Sequence, residues 1–356
     1  MNMLKRFFAL MLCLALMVTC FAGCHTKGEI AVKIGDVEFT SGYYACALVY
    51  ADMEGRAKVE EGLSSEELKG TIKYWKYKVD NTDYTEWVEK TTLDNLKKIA
   101  ALKTLCTTAN VKLDDESLTT AKNYAEYLWE TYGYSVLMEQ NGVAKDTFLT
   151  YMQESYLADE YFEHLYGKGG EKEVAADKVS KQLADNYVLV NKLEVSFSGL
   201  KDEEKTEKKN KLAGYEASLK DGSKTFEKIY LEYNNLKEED HKHEEPKEGE
   251  KAPQDAHATV LGAEETSYAS DHFKTAKDMS VGEIKLITLE KDAGLVLLVK
   301  KDISADPYYL EEFDIMLRQE VVGEDFTKEV AKYGESLTCE VNKSSTKQFK
   351  VKKIKY

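Results

Sequence analysis

Two groups of side chains in this sequence have the make-up for chemistry. The first is the run Asp240-His241-Lys242-His243-Glu244-Glu245, and four of the six histidines fall between residues 241 and 272. Imidazoles and carboxylates are metal ligands, but a structural zinc site wants its donors at tetrahedral spacing on a fixed backbone. Here Lys242, Pro246, Gly249 and Pro253 surround the donors. A charged, low-complexity run of this kind is expected to stay solvated, with no resident metal. The second group is the cysteines. Cys46 (in YYACALVY) and Cys106 (in ALKTLCTTA) lie in apolar helical context and read as small core residues. Cys46, Cys106 and Cys339 are widely spaced and odd in number, so no disulfide framework is implied. There is no Gly-rich phosphate loop, no HExxH and no supported Ser-His-Asp order. No cofactor is expected.

Cys24 is a different case. Lys5 and Arg6 lead an uncharged run, Phe7 to Phe21, which is short for a membrane span of about 20 residues. A basic head, a short apolar core and a small-residue site mark a secretory signal. The junction Phe21-Ala22-Gly23-Cys24 resembles the lipobox of bacterial lipoproteins, with Phe21 where Leu is usual. That resemblance implies cleavage of residues 1–23, a diacylglyceryl group on the Cys24 thiol, and a tether over 24–29. Two acyl chains hold a protein stably where one does not, so the mature chain is expected outside the cytoplasm, lipid-anchored to the cell membrane.

The formal charge is −15, and losing Lys5 and Arg6 with the signal takes it to −17. Such an acidic chain is no general nucleic-acid binder. With only 3 Pro and with 23 Tyr, the composition favours long helices that carry both apolar area and hydroxyls. Ile30, Val32 and Ile34, then Val37 and Phe39, alternate around Gly35-Asp36 and predict a hairpin. Thr40-Ser41 caps a helix through Gly55. Helices are expected over 83–109, from Asp114 to Gly133 with Leu118, Ala121, Tyr124, Ala125, Leu128 and Trp129 on one stripe, and around 136–140. Further helices are expected over 146–166 and 174–187. From Val188 the pattern turns to period two, followed by helices over 202–220 and 225–233. After the 236–255 run come a strand at HATVLG, a short helix at 271–277 and strands over 283–289 and 294–300. A helix over 308–334 follows, and the tail, ending KVKKIKY, reads as strand with its lysines outward.

This order resembles the parvulin-containing extracytoplasmic foldases of the SurA and PrsA type, over nearly the whole mature chain. IAVKIGDVEFTSGYY is similar to their opening strand and first helix, and NGVAKDTFLTYMQESYLADEYFEHLYG to their helical chaperone segment. FKTAKDMSVGEIKLITLEKDAGLVLLVKKD is the most specific piece: Phe273 in the last helix, the Val281-Gly282-Glu283 turn, and a final strand opened by Gly294. The departures fall on the catalytic pattern. Active parvulins carry a histidine in the first strand, where this chain has Glu194, and another two residues after the glycine, where it has Val296. Their Gly-Gly-Asp-Leu-Gly turn is reduced to Val260-Leu261-Gly262. Twisting an X–Pro amide over a barrier of about 18–20 kcal/mol takes a shaped, hydrogen-bonding pocket, which a carboxylate and a valine do not reproduce. No residue is assigned as catalytic. Glu194, Phe273, Met279 and Val296 are the candidates for a degenerate pocket.

The resemblance implies an α+β chain: a mostly helical chaperone lobe over 30–187, completed by a helix and strand over 303–356, with an inserted parvulin-like domain over 188–302 that contains the 236–255 run. It implies a membrane-anchored foldase that holds unfolded exported polypeptides, with weak or absent peptidyl-prolyl isomerase activity. A different class remains open, a non-catalytic surface lipoprotein that scaffolds an envelope complex or serves one partner.

Overall fold

The computed structural model describes residues 28–238, 241, 252–262, 268–289 and 292–356. The signal segment, Cys24, most of the tether and most of the 236–255 run lie outside the described residues. The chain divides into two compact units, residues 1–172 with 324–356, and residues 173–323.

In the first unit the alternating apolar residues form the expected hairpin, β1 (Ile30–Ile34) with β2 (Val37–Thr40). Thr40 caps α1 (Ser41–Glu60), its hydroxyl accepting from the Tyr43 amide at 3.3 Å. α1 is apolar on more than one side. Tyr44, Leu48 and Ala51 enter one core cluster, while Ala45, Cys46 and Val49 enter another, so the helix is buried over much of its length. The polar stretch after it holds one helical turn, Ser65–Leu68, and a minimal hairpin, β3 (Lys78–Val79) with β4 (Thr82–Asp83). α2 (Tyr84–Ala109) lays Trp87, Val88, Leu96 and Ala100 into the first cluster and ends at Asn110, which takes a left-handed φ of 55°.

α3 (Asp115–Thr131) is capped by Asp114. With α4 (Tyr134–Gln140) and α5 (Lys145–Ser155) it encloses the second cluster through Ala125, Trp129, Met138 and Phe148. The single helix expected over 146–166 is two, α5 and α6 (Leu157–Tyr166). The Ser155 hydroxyl donates to the Met152 carbonyl at 2.7 Å, and the Tyr156 amide reaches back only to Gln153. This local competition interrupts the i−4 ladder.

The second unit opens with α7 (Ala176–Asn186). It continues through β5 (Tyr187–Ser196), α8 (Asp202–Lys220), α9 (Phe226–Asn234), β6 (Ala258–Gly262), α10 (Tyr268–Asp278), β7 (Ile284–Thr288) and β8 (Gly294–Lys301). The strands form an antiparallel sheet in the order β6-β5-β8-β7. One face packs against α10, with Val188, Val190, Leu261, Val296 and Leu298 meeting Ala276 and Met279. The other packs against α8 and α9, with Leu193 and Leu297 meeting Tyr215, Phe226 and Ile229. A sheet covered by helices on both faces explains why β5 reads apolar without a break at Val188–Val190. The unit's limits, 173 and 323, lie outside 188–302, because α7 and residues 303–323 belong to it. Arg318, 1% exposed, fastens this extension. Its Nε donates to Asp314 at 2.8 Å and its Nη1 to the Val174 carbonyl at 2.9 Å.

The helix expected over 308–334 is also two, α11 (Pro307–Glu312) and α12 (Asp314–Ser336). Phe313 leaves helical geometry (φ −97°, ψ 6°), and its ring meets Tyr187 and Tyr309. α12 begins in the second unit, and from Glu324 it belongs to the first, where Phe326 packs edge-on against Phe162. β9 (Cys339–Val341) then pairs with β1 to complete a sheet ordered β2-β1-β9. The rest of the tail is not strand: residues 351–353 make a 3-10 turn. Asn141 exchanges two hydrogen bonds with the Lys355 backbone, at 2.9 and 3.0 Å. Phe349, Val351 and Ile354 pack into the clusters around α1. A side chain thus takes the backbone groups that a sheet would have used. Among the described residues no helix is long and apolar enough to cross a membrane.

Candidate functional site

The four candidate pocket residues all belong to the second unit, and the sheet decides their fates. Glu194 and Val296 stand directly opposite each other on β5 and β8, so both side chains leave the sheet on one face. That face is the one under α10. Val296 is fully buried there, in one apolar cluster with Met279 and the partly buried Phe273. Glu194 is exposed, its carboxylate 3.4 Å from Lys192 Nζ. Lys192 lies two residues back on the same strand face. Three of the four candidates are therefore packing residues of a single core, and the fourth is a surface carboxylate beside a lysine. Exposed pairs of this kind contribute about 1 kcal/mol or less, and a valine offers no donor to replace an imidazole.

The surrounding geometry is tightly set. A Cβ on residue 294 would lie 2.2 Å from the Val195 carbonyl oxygen, so only glycine lets β8 begin against β5. Lys277, at the end of α10, donates to the Ala184 and Asp185 carbonyls of α7 at 2.7 and 2.8 Å. A cation there meets the unsatisfied carbonyls and the negative end of that helix. Lys300 donates to the Lys277 and Met279 carbonyls at 3.0 and 2.6 Å. Burial, and then the nearby Lys277 charge, hold Lys300 below the usual lysine range.

Cys46 and Cys106 are buried. Burial, with Glu160 adding to it, pushes the Cys106 thiol up to about 11, and burial raises Cys46 further. A thiol that stays protonated is no nucleophile, in keeping with their reading as core residues.

The first unit carries surface features of another kind. α3 buries Ala121, Ala125 and Trp129, one turn apart. Its stripe is narrower than the sequence reading, because Leu118 and Tyr124 are exposed. Tyr124 and Tyr127 are 48% and 51% exposed, Tyr132 64% and Val136 58%. The Tyr127 and Tyr132 rings meet edge to face at 5.3 Å. The sequence signal for this surface was the density of tyrosine on a helix whose inward positions are already filled by Ala121, Ala125 and Trp129. A groove of about 440 Å³ runs between α1 and the tail. Leu48, Val49, Phe349 and Ile354 supply its apolar lining, while Lys350 and Lys353 make it basic in an otherwise acidic chain. A larger cavity of about 710 Å³ is mostly polar, with Glu160, Glu163, His164 and Glu171 among its walls.

No family model matches the sequence, and no curated protein matches it. Solved structures do. The foldase protein PrsA of Streptococcus pneumoniae strain Canada MDR_19A is 15% identical at a TM-score of 0.40, over 70% of this chain and 84% of that one. A PrsA foldase from Lactococcus lactis is 12% identical at a TM-score of 0.39, over 91% of this chain and 100% of that one. PrsA from Bacillus subtilis is 16% identical at 0.31, over 72% and 89%. The chain is similar to foldase proteins of the PrsA type, the family its sequence resembles.

Proposed function

We propose that this protein is an extracytoplasmic foldase of the holding type, tethered to a membrane by a lipid on Cys24, whose parvulin-like domain has weak or no isomerase activity. The observation that carries the reading is the exposure of Tyr124, Tyr127, Tyr132 and Val136, with the Tyr127 and Tyr132 rings in contact. An apolar patch left in water marks a binding surface, and tyrosine pairs apolar area with a hydroxyl that suits unfolded chain of any sequence. The basic apolar groove beside α1 adds a second place for extended polypeptide. The charge of −15 keeps copies of the protein apart while such surfaces stay open. The weak-isomerase part rests on Glu194 and Val296, which offer no imidazole pair, and on the packing of Phe273, Met279 and Val296 into one core.

The test is suppression of aggregation by the mature chain on several unrelated denatured clients, repeated with Tyr124, Tyr127 and Tyr132 all changed to Ser. Three contacts of about 0.5 kcal/mol each amount to roughly tenfold in affinity. The variant should therefore need about ten times the concentration for equal protection, with unchanged helical circular dichroism. Protection of no client, or of one alone, would overturn the reading and leave a scaffold for a single partner.

A further inference from the structure

The 236–255 run reads by itself as solvated charge, yet the fold gives one of its histidines two fixed neighbours. We infer that Glu227, His241 and His257 form a binding site for a divalent transition metal of the zinc class, which ties residues 241 and 257 to α9. One ligand atom from each residue lies within 4.8 Å of the other two. His257 Nε2 is 2.7 Å from Glu227 Oε2. The His241 and His257 rings stack nearly parallel, 9° apart with centroids at 5.2 Å, and Tyr230 lies against both, at 5.5 and 4.3 Å.

The scaffold behind the donors is firm. Glu227 sits in the first turn of α9, which Thr225 caps. The His257 side chain is 9% exposed, and its backbone amide donates to Asp255 Oδ1 at 3.0 Å. Asp255 is held in turn by Lys301 at 2.8 Å and by the buried Asn191 Nδ2 at 3.1 Å. The central strand of the sheet thus fixes His257 through one intervening carboxylate. These bonds hold the His257 backbone, while the ring itself is set by its contacts with Tyr230, Phe226 and Glu227.

Two imidazoles and one carboxylate are the protein ligands of open zinc sites, which leave a position for water. The donor set also suits copper and nickel, whereas calcium and magnesium demand oxygen. Zinc–nitrogen and zinc–oxygen bonds of about 2.0–2.2 Å bring ligand atoms to roughly 3.3 Å from one another. Binding therefore widens the His257–Glu227 contact from its present 2.7 Å and sets all three donors, now within 4.8 Å of one another, around the ion. Because the ligands come from positions 227, 241 and 257, the ion closes a loop through the charged run.

The experiment is calorimetric titration of the mature chain with zinc chloride, and with calcium chloride in parallel. One equivalent of zinc should bind and calcium should not. His257→Ala, His241→Ala and Glu227→Gln should each weaken zinc binding at least about tenfold. His243→Ala, a histidine of the same run outside the set, should leave it unchanged. Cobalt(II) added to the unaltered chain gives a readout that no variant's folding can confound: strong visible absorption of four-coordinate cobalt is expected. Weak, octahedral-type cobalt absorption, zinc binding that survives His257→Ala, or binding lost only with His243→Ala would each overturn the site.

Discussion

Asp52 is 1% exposed and accepts hydrogen bonds from three side chains. The Tyr84 hydroxyl, Arg56 Nε and the Tyr356 hydroxyl each reach it at 2.8 Å. The Arg56 guanidinium lies 3.6 Å from the centroid of the Tyr356 ring and 4.4 Å from that of Tyr74, distances at which a cation gains from the ring face. One carboxylate of α1 thereby holds α2 and the tail together. Asp52→Ala leaves the buried Tyr84 hydroxyl without its carboxylate and releases the partly exposed Arg56 and the exposed Tyr356, and should cost about 2 kcal/mol. Tyr356→Phe removes one donor while the acceptor keeps two others, and should cost about 1 kcal/mol. Urea unfolding checks both as midpoint shifts at constant slope; equal shifts would mean that Asp52 is not the hub. None of this was legible in YADMEGR, where Asp52 reads as the polar edge of a helix. Two of its partners lie 32 and 304 residues away, and a pattern read within a window does not reach them.

The strands of the second unit were legible as short apolar runs between turn residues, as at Val188–Val190 and Leu295–Val299, and Gly294 through the resemblance, with the Val195 carbonyl as its physical reason. The breaks at Tyr156 and Phe313 were not, since apolar periodicity runs straight through both and the causes are a serine hydroxyl and a ring contact. The tail misled because Val351 and Ile354 alternate with lysines, while Asn141 takes the backbone instead. The pairing of β5 with β8 carries its own prediction. In a proline-limited refolding assay the mature chain should give less than about a twofold acceleration, since X–Pro isomerisation has an activation energy of about 20 kcal/mol and Glu194 and Val296 supply no imidazole. Glu194→His should fold normally at its exposed position. Val296→His places an imidazole among Val190, Leu298 and Met279 and should cost about 1–3 kcal/mol. Strong acceleration by the unaltered chain would restore the enzyme reading.

Across the molecule, the first unit has many of its tyrosines inside. Burial, and at Tyr43 also the Glu154 carboxylate, raises Tyr43 well above its ordinary value of 10.0. Burial does the same to Tyr84, with Asp52 adding, and to Tyr151. An unfolded tyrosine ionises near pH 10, so above that pH the unfolded chain sheds protons that the folded one retains. The stability these residues contribute is complete below about pH 10 and is lost as pH rises toward their raised values. Tyrosinate absorbance should therefore appear together with loss of helical circular dichroism on alkaline titration. Full ionisation with the helices intact would refute the buried cluster.

β1 lies between β2 and β9, with Val32 opposite Val341 and Ile34 opposite Cys339. An exported chain emerges N-terminus first, so these partners arrive about 300 residues apart and β1 is exposed well before β9. Over that interval the hairpin waits with one edge unsatisfied, whereas every strand of the second sheet is already present. Assembly is thus ordered in time: the inserted unit can finish first, and the unit that begins the chain finishes last. A polypeptide arrested before residue 339 would carry an open edge on β1, the template on which strands of other chains add.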